Sequence, residues 1–538
     1  MPARASTTTT PDARREEQPQ GFYRLAALQP DRPAIVLPTG EQITYGHLGA
    51  RTNQISHALR SLGLTAGDTV AAIVHNGAEY FELTLSTGQI GMTLVPVNHH
   101  LSPQEIVYIV RDSGAKAVVV DIACVRTLTA SQEASEALPT HRFVVADGQP
   151  AHVADGWLPY ADLGDGEPTT PPDHRTAGDV MGYTSGTTGR PKGVKRVVPP
   201  VEPEELIPLL NRAALSRYGV AADDGVHLVC SPLYHAAPGF HALQFLHSGH
   251  TLVCHSRFDA EATLRDIERY RVTSSHMVPT HFHRLLRLPE EVRLRHDLSS
   301  LRLLIHAGAP CPVSVKRRML DWVGPIVWEY LGSTEGWVSA VGPDEWLARP
   351  GTLGRPGPHA TVKILDETGA EVPQGEAGTI YFGVAMGDFV YHNDAEKTAA
   401  NRVGDLATVG DLGYFDEDGY LFLLDRRTDL IVSGGVNIYP AEIEQRLIAH
   451  PAVADVAVIG RSDPEWGQSV LAVVQPAAGT TPGDSLAEEL SAFCRQDLAS
   501  FKCPRTFEFV SDFPRTESGK LQRRVLRDAY DEEADRCV

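Results

Sequence analysis

Residues 183–194 read YTSGTTGRPKGV, a stretch with four small hydroxyl side chains (Thr184, Ser185, Thr187, Thr188), three glycines and one lysine, Lys192. Glycines let backbone N–H groups approach an anion, hydroxyls add donors and the lysine adds a point charge, so the composition suits a polyphosphate. A Walker A loop, G-x-x-x-x-G-K-[ST], would need a glycine five residues after Gly186 and a hydroxyl after the lysine, but Pro191 and Gly193 stand there. It would also open into a helix, whereas VKRVVPPVEPEE (194–205) is β-branched and then broken by proline. A flexible Gly/Ser/Thr linker fits poorly, because a proline and a lysine sit at fixed places between apolar flanks. The stretch reads as a phosphate loop of another kind, and the fold has to be read from what flanks it.

Before the loop, apolar residues at helical spacing over 45–62 (Leu48, Ile55, Leu59, Leu62) end at Gly63 and are followed by the strand-like run VAAIV (70–74). MTLVPV (92–97) and AKAVVVD (115–121) continue the strands, with helix-like SPQEIVYIVRDSG (102–114) between them. After the loop, VHLVC (226–230), helical DAEATLRDIERY (259–270) and LRLLIHAG (301–308) repeat the alternation. This predicts stacked α/β layers around largely parallel sheets. Beyond about residue 350, TVKILDETGAEV (361–372) and GYFDEDGYLFLLD (413–425) read as short strands with Gly/Asp turns, a β-rich lobe. PAEIEQRLIAH (440–450), ADVAVIG (454–460) and VLAVVQP (470–476) then predict a small α+β unit. The expected division is a disordered tail at 1–20, a large domain at 21–427 and a small mobile domain at 428–538.

A chain of 538 residues is too long for one core. Its formal charge of −20 opposes nonspecific binding to nucleic acid or an anionic membrane, which favours a small-molecule ligand. Seven scattered cysteines without C-x-x-C signal neither a disulfide framework nor a zinc site and fit a reducing cytoplasm. No apolar run of membrane-spanning length occurs, and the first twenty residues lack the apolar core of a targeting segment.

Four further stretches follow in order: LGSTEG (331–336), GDLGYFDEDGYLFLLDRRTDLI (410–431), SGGVNIYPAEIE (433–444) and PRTESGKLQR (514–523). With YTSGTTGRPKGV they resemble the ATP-dependent, AMP-forming adenylating superfamily of acyl-CoA synthetases, firefly luciferase and peptide-synthetase adenylation domains, over residues 21–527. The resemblance implies that a small carboxylic acid attacks the α-phosphorus of ATP, with magnesium offsetting the crowded phosphates, and that CoA then accepts the acyl group. It implies that Thr184, Ser185, Gly186, Thr187, Thr188 and Lys192 hold the leaving phosphates. Leu331, Gly332 and Ser333 would lie along the nucleotide, Thr334 would hold the α-phosphate, Glu335 would bind magnesium, and Gly308, Ala309 and Pro310 would meet adenine. Asp411 would accept the ribose hydroxyls with help from Arg426. Lys520 would bridge the carboxylate and the α-phosphate, screening two anions as they meet. His235 would sit at the floor of the acyl pocket, and Gly435 would border the pantetheine arm. Three positions depart from the pattern: Leu331 replaces an aromatic, Val409 a threonine, and Thr428 the usual Asp or Lys of the hinge.

Other features have plainer readings. His276, His281 and His283 match no zinc spacing and are expected on the surface or lining a pocket. Ser485 and Glu488 are expected to form a capping box, and KLQRRVLR (520–527) to be a helix with solvated charge. His235, His241, His306 and Trp337 are expected near the acid, favouring a small aromatic or medium acyl group. A diazotase-like enzyme that activates nitrite for an aromatic amine would keep the same adenylation site with a different acceptor. A luciferase-like oxygenase and an inactive binding module fit less well, since every phosphate-handling position is filled.

Gly435→Leu is expected to leave pyrophosphate release from acid and ATP largely intact while suppressing thioester formation, because a side chain would obstruct the thiol's path. The two half-reactions can be followed separately on one preparation. Full overall activity would move the acceptor away from CoA.

Overall fold

Strands buried on both faces read as unbroken apolar runs, and the runs on either side of the phosphate loop build two such sheets. The computed structural model describes residues 21–129, 137–146, 156–184, 191–220, 225–357, 360–383, 388–426, 428–433, 436–463, 466–516 and 520–536. The expected tail, together with Ser185, Gly186, Thr187, Thr188 and Gly435, lies outside them.

The larger sheet runs in the order Trp337–Val341, Val327–Gly332, Leu303–His306, Ser274–Met277, Val226–Val229, Thr251–Cys254, Pro33–Val36, Gln42–Thr44. Its inner strands pair in parallel and only the two outermost pairings are antiparallel. The second sheet, Leu158–Pro159, His141–Val145, Ala115–Asp121, Thr69–Ile73, Thr93–Pro96, Asp179–Val180, is parallel throughout.

Alternate residues of each strand enter different cores. Ile305 and Leu252 face a central core shared with Val70, Val119 and the helices Tyr45–Ser61, Ala78–Gly88 and Ala236–His247. Leu304 and Val253 face an outer core with Leu264, Phe282 and Met319, and Val118 and Ala71 face another with Ile106 and Val110. The result is helices, sheet, helices, sheet, helices.

The expected β-rich lobe is an antiparallel sheet including Gly378–Gly383, Asp411–Phe415 and Leu421–Arg426. The small C-terminal domain is a sheet of Ile431–Ser433, Val436–Ile438, Val453–Asp463, Gly467–Pro476 and Thr506–Phe509, packed with helices Pro440–Ile448, Asp484–Asp497 and Arg523–Arg536. This is the anticipated mixed α/β architecture, one large domain and one small.

Two local readings are corrected. The helix Asp484–Asp497 begins behind Gly483, whose φ of 150° has no side-chain cap with it, so Ser485 and Glu488 form no capping box. Arg523 is not a solvated charge: it pairs with Glu444 at 2.5 Å and lies 3.7 Å from Asp429.

A buried ion pair ties the helix Val313–Val323 to the strand Val327–Gly332. Lys316 is fully buried, with Nζ 2.7 Å from Glu329 and 4.7 Å above the Trp346 ring. Burial holds the Glu329 carboxyl above the usual range, with Lys316 opposing the shift. Lys316→Met should therefore destabilise the fold by about 3–5 kcal/mol at neutral pH, since it leaves a buried carboxylate without its cation. Because the folded-state pKa of Glu329 lies above the unfolded value, protonation relieves that cost, and the deficit should shrink as pH falls from neutral into the acid range. Denaturant titrations at two pH values check this; an equal deficit at both would place the cost in packing and not in charge.

Candidate active site

The site gathers at the C-terminal ends of the larger sheet's strands, where an open parallel sheet leaves its loops free to bind ligands. Strand Leu303–His306 ends in Gly308, Ala309 and Pro310; Gly308 has φ 88°, a conformation that favours glycine, and the turn is largely exposed. The neighbouring strand Val327–Gly332 carries Leu331 and Gly332, then turns through Ser333, Thr334 and Glu335, with the Ser333 N–H donating to the Gly336 carbonyl at 2.8 Å. Leu331 packs against the core of the β-rich lobe.

The phosphate stretch is the two sides of a β-hairpin. Thr184 and Lys192 are direct cross-strand partners in the sheet formed by Gly182–Thr184, Lys192–Arg196 and Phe389–Tyr391. A strand after the loop, and no helix, matches the exclusion of a Walker motif. Lys192 is paired with Asp394, whose carboxylate also caps the helix Ala395–Ala400. Gly182 lies against Thr334: a Cβ there would come within 3.2 Å of its methyl group. Arg196 donates to the Thr334 carbonyl at 2.6 Å, and the Tyr391 hydroxyl donates to the buried Glu335 at 2.8 Å.

Charge converges from both domains. Asp411 and Arg426 face each other across a hairpin, with Arg426 Nε 3.2 Å from Asp411 Oδ1. Burial raises the Asp411 carboxyl, and the Arg426 and then Lys520 charges oppose that rise. Lys520 belongs to the C-terminal domain, yet its ammonium is close enough to Asp411, Arg426 and His235 for each pair to feel the other's charge. The residue keeps solvent access, but the protein crowded around its ammonium, with the Arg426 guanidinium, brings its pKa down to about 8. Burial, aided by Lys520, pushes His235 down to about 4, so this imidazole is neutral at neutral pH.

On the far side of Glu335 stands an aromatic wall. Trp337 stacks on Tyr330 at 4.2 Å and 11°, and the Arg217 guanidinium sits 4.0 Å over its other face. Tyr218 meets Trp337 edge-on, and its hydroxyl lies 3.5 Å from His241, which stacks on His276 at 4.7 Å. His235, at the N-terminus of the helix that carries His241, adjoins Tyr234. His306 is not part of this group. It lies on the opposite face of the sheet, 3.6 Å from Glu329 and edge-on to Phe282. His276 and His281 are buried rather than on the surface, the latter stacked on Phe258 at 3.8 Å. Among the described residues no group of three or more His, Cys, Asp or Glu is arranged to hold a metal.

Sequence reading missed Tyr330, Tyr391, Asp394, Arg196, Tyr218 and Arg217. Strand alternation could have separated Tyr330 from Leu331; the others carry no local signal.

A two-domain α/β protein whose large domain carries the buried carboxylates Glu335 and Asp411 beside a hairpin ending at Thr184 and Lys192, with Lys520 of the smaller domain close by, fits the nucleotide-dependent, adenylate-handling class. The chain belongs to the AMP-binding enzyme family: the family's model matches residues 22–386, and that of the AMP-binding enzyme C-terminal domain matches 442–520. It is 35% identical to a feruloyl-CoA synthase of an Amycolatopsis species, over 94% of this chain and 97% of that protein. It is 34% identical to a 2-succinylbenzoate–CoA ligase of Bacillus licheniformis, over 95% and 99%. The amide bond synthetase McbA of Marinactinospora thermotolerans has a similar structure, with TM-score 0.79, 28% identity, and 95% and 100% of the two chains covered.

The lowered pKa of Lys520 sets a pH dependence. In the free enzyme its positive charge is present below about 8 and lost above it. The kcat/KM for pyrophosphate release, which reports free-enzyme groups, should therefore fall on the alkaline side. Lys520→Arg, slower in absolute rate, should lose that limb because a guanidinium does not deprotonate in this range. An alkaline limb that persists in the Arg variant belongs to another group.

Proposed function

We propose that this ATP-dependent, AMP-forming acid:CoA ligase activates a ring-bearing carboxylic acid of modest length. The carboxylate oxygen attacks the α-phosphorus of ATP and pyrophosphate leaves; the thiol sulfur of CoA then attacks the acyl carbon, gives up its proton, and AMP leaves. The observation that carries this reading is the buried Asp411 with Arg426 Nε 3.2 Å from it, within reach of the charge of Lys520 from the C-terminal domain. A cation placed there reduces the repulsion between two anions as they join.

In this reading Thr184 and Lys192, with Ser185, Gly186, Thr187 and Thr188, hold the leaving phosphates, and Lys192 leaves Asp394 for them when ATP enters. Gly308, Ala309 and Pro310 line the adenine with Leu331, Gly332 and Ser333. Thr334 holds the α-phosphate, and Asp411 with Arg426 holds the ribose. One oxygen of Glu335 accepts from Tyr391, leaving the other for a magnesium ion; a single protein carboxylate suits a cation that takes its other ligands from phosphates and water. Gly435 borders the thiol's path. Residues 21–427 bind nucleotide and acid, and residues 428–538 move between the half-reactions.

The acid class rests on Trp337, held between Tyr330 and Arg217 as a flat wall, and on the neutral His235 opposite Lys520. Relatives named for feruloyl and 2-succinylbenzoyl substrates fit a ring-bearing acid. A cytoplasmic enzyme acting on a small molecule, with no nucleic-acid partner, fits the charge and the scattered cysteines; among the described residues no helix is long and apolar enough to cross a membrane. An acceptor other than CoA, such as an amine or nitrite, is the second reading, favoured by the structural likeness to an amide bond synthetase.

The test is pyrophosphate release across a panel of benzoic, cinnamic and straight-chain acids, with CoA, amines, nitrite or no acceptor, and mass analysis of the product. Thioester made only with CoA is expected; pyrophosphate released equally well without CoA, with an amide or diazo product, would transfer the reading to the second acceptor. Trp337→Ala should shift preference toward longer or bulkier acids by about 10-fold or more in kcat/KM, since pocket walls discriminate on that scale. Unchanged relative rates would remove Trp337 from the acid's surroundings.

A further inference from the structure

We infer that Asp394 is a positioning residue that acts through Lys192: its carboxylate competes with the leaving phosphates for the Lys192 ammonium, so triphosphate enters against it and pyrophosphate leaves with its help. The inference rests on the reading of Lys192 as a phosphate ligand. The two side chains form an ion pair, 21% exposed at Lys192 and 20% at Asp394.

The carboxylate is the fixed member of the pair. Its segment follows the strand Phe389–Tyr391, which pairs with the strand of Lys192, and the His392 N–H donates to the Gly193 carbonyl at 2.8 Å. Asn393 has φ 55°, a left-handed conformation that asparagine tolerates, and its Nδ2 donates to the Asp112 carbonyl at 3.0 Å. His392 Nε2 lies 2.9 Å from the same carbonyl, which ties the turn to the end of the helix Pro103–Asp112. The Tyr183 hydroxyl donates to Asp112 Oδ2 at 2.7 Å, so the strand beside Lys192 and the turn bearing Asp394 hang on one helix end. Asp394 Oδ1 then accepts from the Lys397 N–H at 3.0 Å as the cap of the helix Ala395–Ala400, and the Thr398 hydroxyl donates to the Asp394 carbonyl at 2.8 Å.

One carboxylate oxygen is thus committed to the helix and the other, Oδ2, meets Lys192. With the carboxylate held from both sides, exchange has to come from the lysine. Its flexible four-carbon stem lets the ammonium swing while its backbone stays paired with Thr184. The cap does not need the charge, because asparagine or serine caps a helix about as well as aspartate. What the charge adds is a second anion for the ammonium that the phosphates need. A ligand whose binding group is held elsewhere for most of the time binds more weakly by the fraction of that group set free. The same reduction applies to ATP on entry and to pyrophosphate on exit.

The test removes the charge and keeps the cap. Asp394→Asn should tighten ATP binding, measured by titration calorimetry with magnesium and no acid, by about 3- to 5-fold, the scale of a partly exposed ion pair. It should lower the inhibition constant of pyrophosphate by a similar factor, and Asp394→Ser should do the same. Tighter binding is a change that damage to the fold does not produce. Lys192→Ala should weaken both ligands, and adding Asp394→Asn to it should give no further gain. Unchanged or weaker binding of ATP and pyrophosphate by Asp394→Asn, with Lys192→Ala impaired, would overturn the competition and leave the phosphate reading of Lys192 standing. A gain as large in the Lys192→Ala background would overturn it too, since Asp394 would then act on the phosphates without Lys192. Undiminished binding of both ligands by Lys192→Ala would remove Lys192 from the phosphates and the competition with it.

Discussion

The site is organised around a repulsion. A carboxylate and a phosphate must come within bonding distance, and two unit charges of like sign at 4 Å oppose each other by about 4 kcal/mol at the effective dielectric of a protein surface. The large domain gathers carboxylates of its own at this place, Glu335 and Asp411, each buried. Arg426 offsets one of them, across a hairpin of the same domain. The further cation, Lys520, comes from the small domain.

The rest of the architecture supplies a fixed frame for that charge. Parallel strands buried on both faces deform little, so the turns at their ends hold position. Two such turns, at 308–310 and 333–336, follow neighbouring strands of the larger sheet, and Gly182 of the hairpin strand lies against Thr334 in the second of them. The ion pair of Lys316 and Glu329 lies directly beneath, joining the helix after the first turn to the strand before the second. It thus locks the relative height of the segments proposed to meet adenine and α-phosphate.

Much of this was legible from residue order. The helix expected over 45–62 spans Tyr45–Ser61, and the strand expected over 115–121 is Ala115–Asp121, because a doubly buried strand is apolar throughout and a half-buried helix is not. Failures came where the answer depended on what lies across from a residue. His306 shares a strand face with Leu304, which parity could show, but only the tertiary structure shows that this face meets Lys316 and not the acid. Ser485 and Glu488 had the spacing of a cap, yet Gly483 brings the chain into the helix from a direction that leaves the serine inside it. Lys192 was legible as the one lysine of a glycine- and hydroxyl-rich stretch; its partner Asp394 lies 202 residues away and has no local mark. Arg523 looked like one of several solvated arginines until folding set Glu444 and Asp429 against it.

The hairpin of Val327–Gly332 and Trp337–Val341 shows how two side chains a few residues apart in the chain can be given separate surroundings. Glu335 and Trp337 are two positions apart, but they meet different neighbours. Glu335 is held by Tyr391 of the β-rich side, and Trp337 by Tyr330 and Arg217 of the central layers. The turn at 333–336 separates them, closed by its own backbone hydrogen bond. Gly336 has no room for a side chain, because a Cβ would come within 2.7 Å of Phe382. That close approach fixes the turn against the lobe and leaves the following strand to follow the sheet. A change of side chain at 337 therefore alters the aromatic wall, while the Tyr391 hydrogen bond and the close approach of Gly336 to Phe382 keep the Glu335 carboxylate in place.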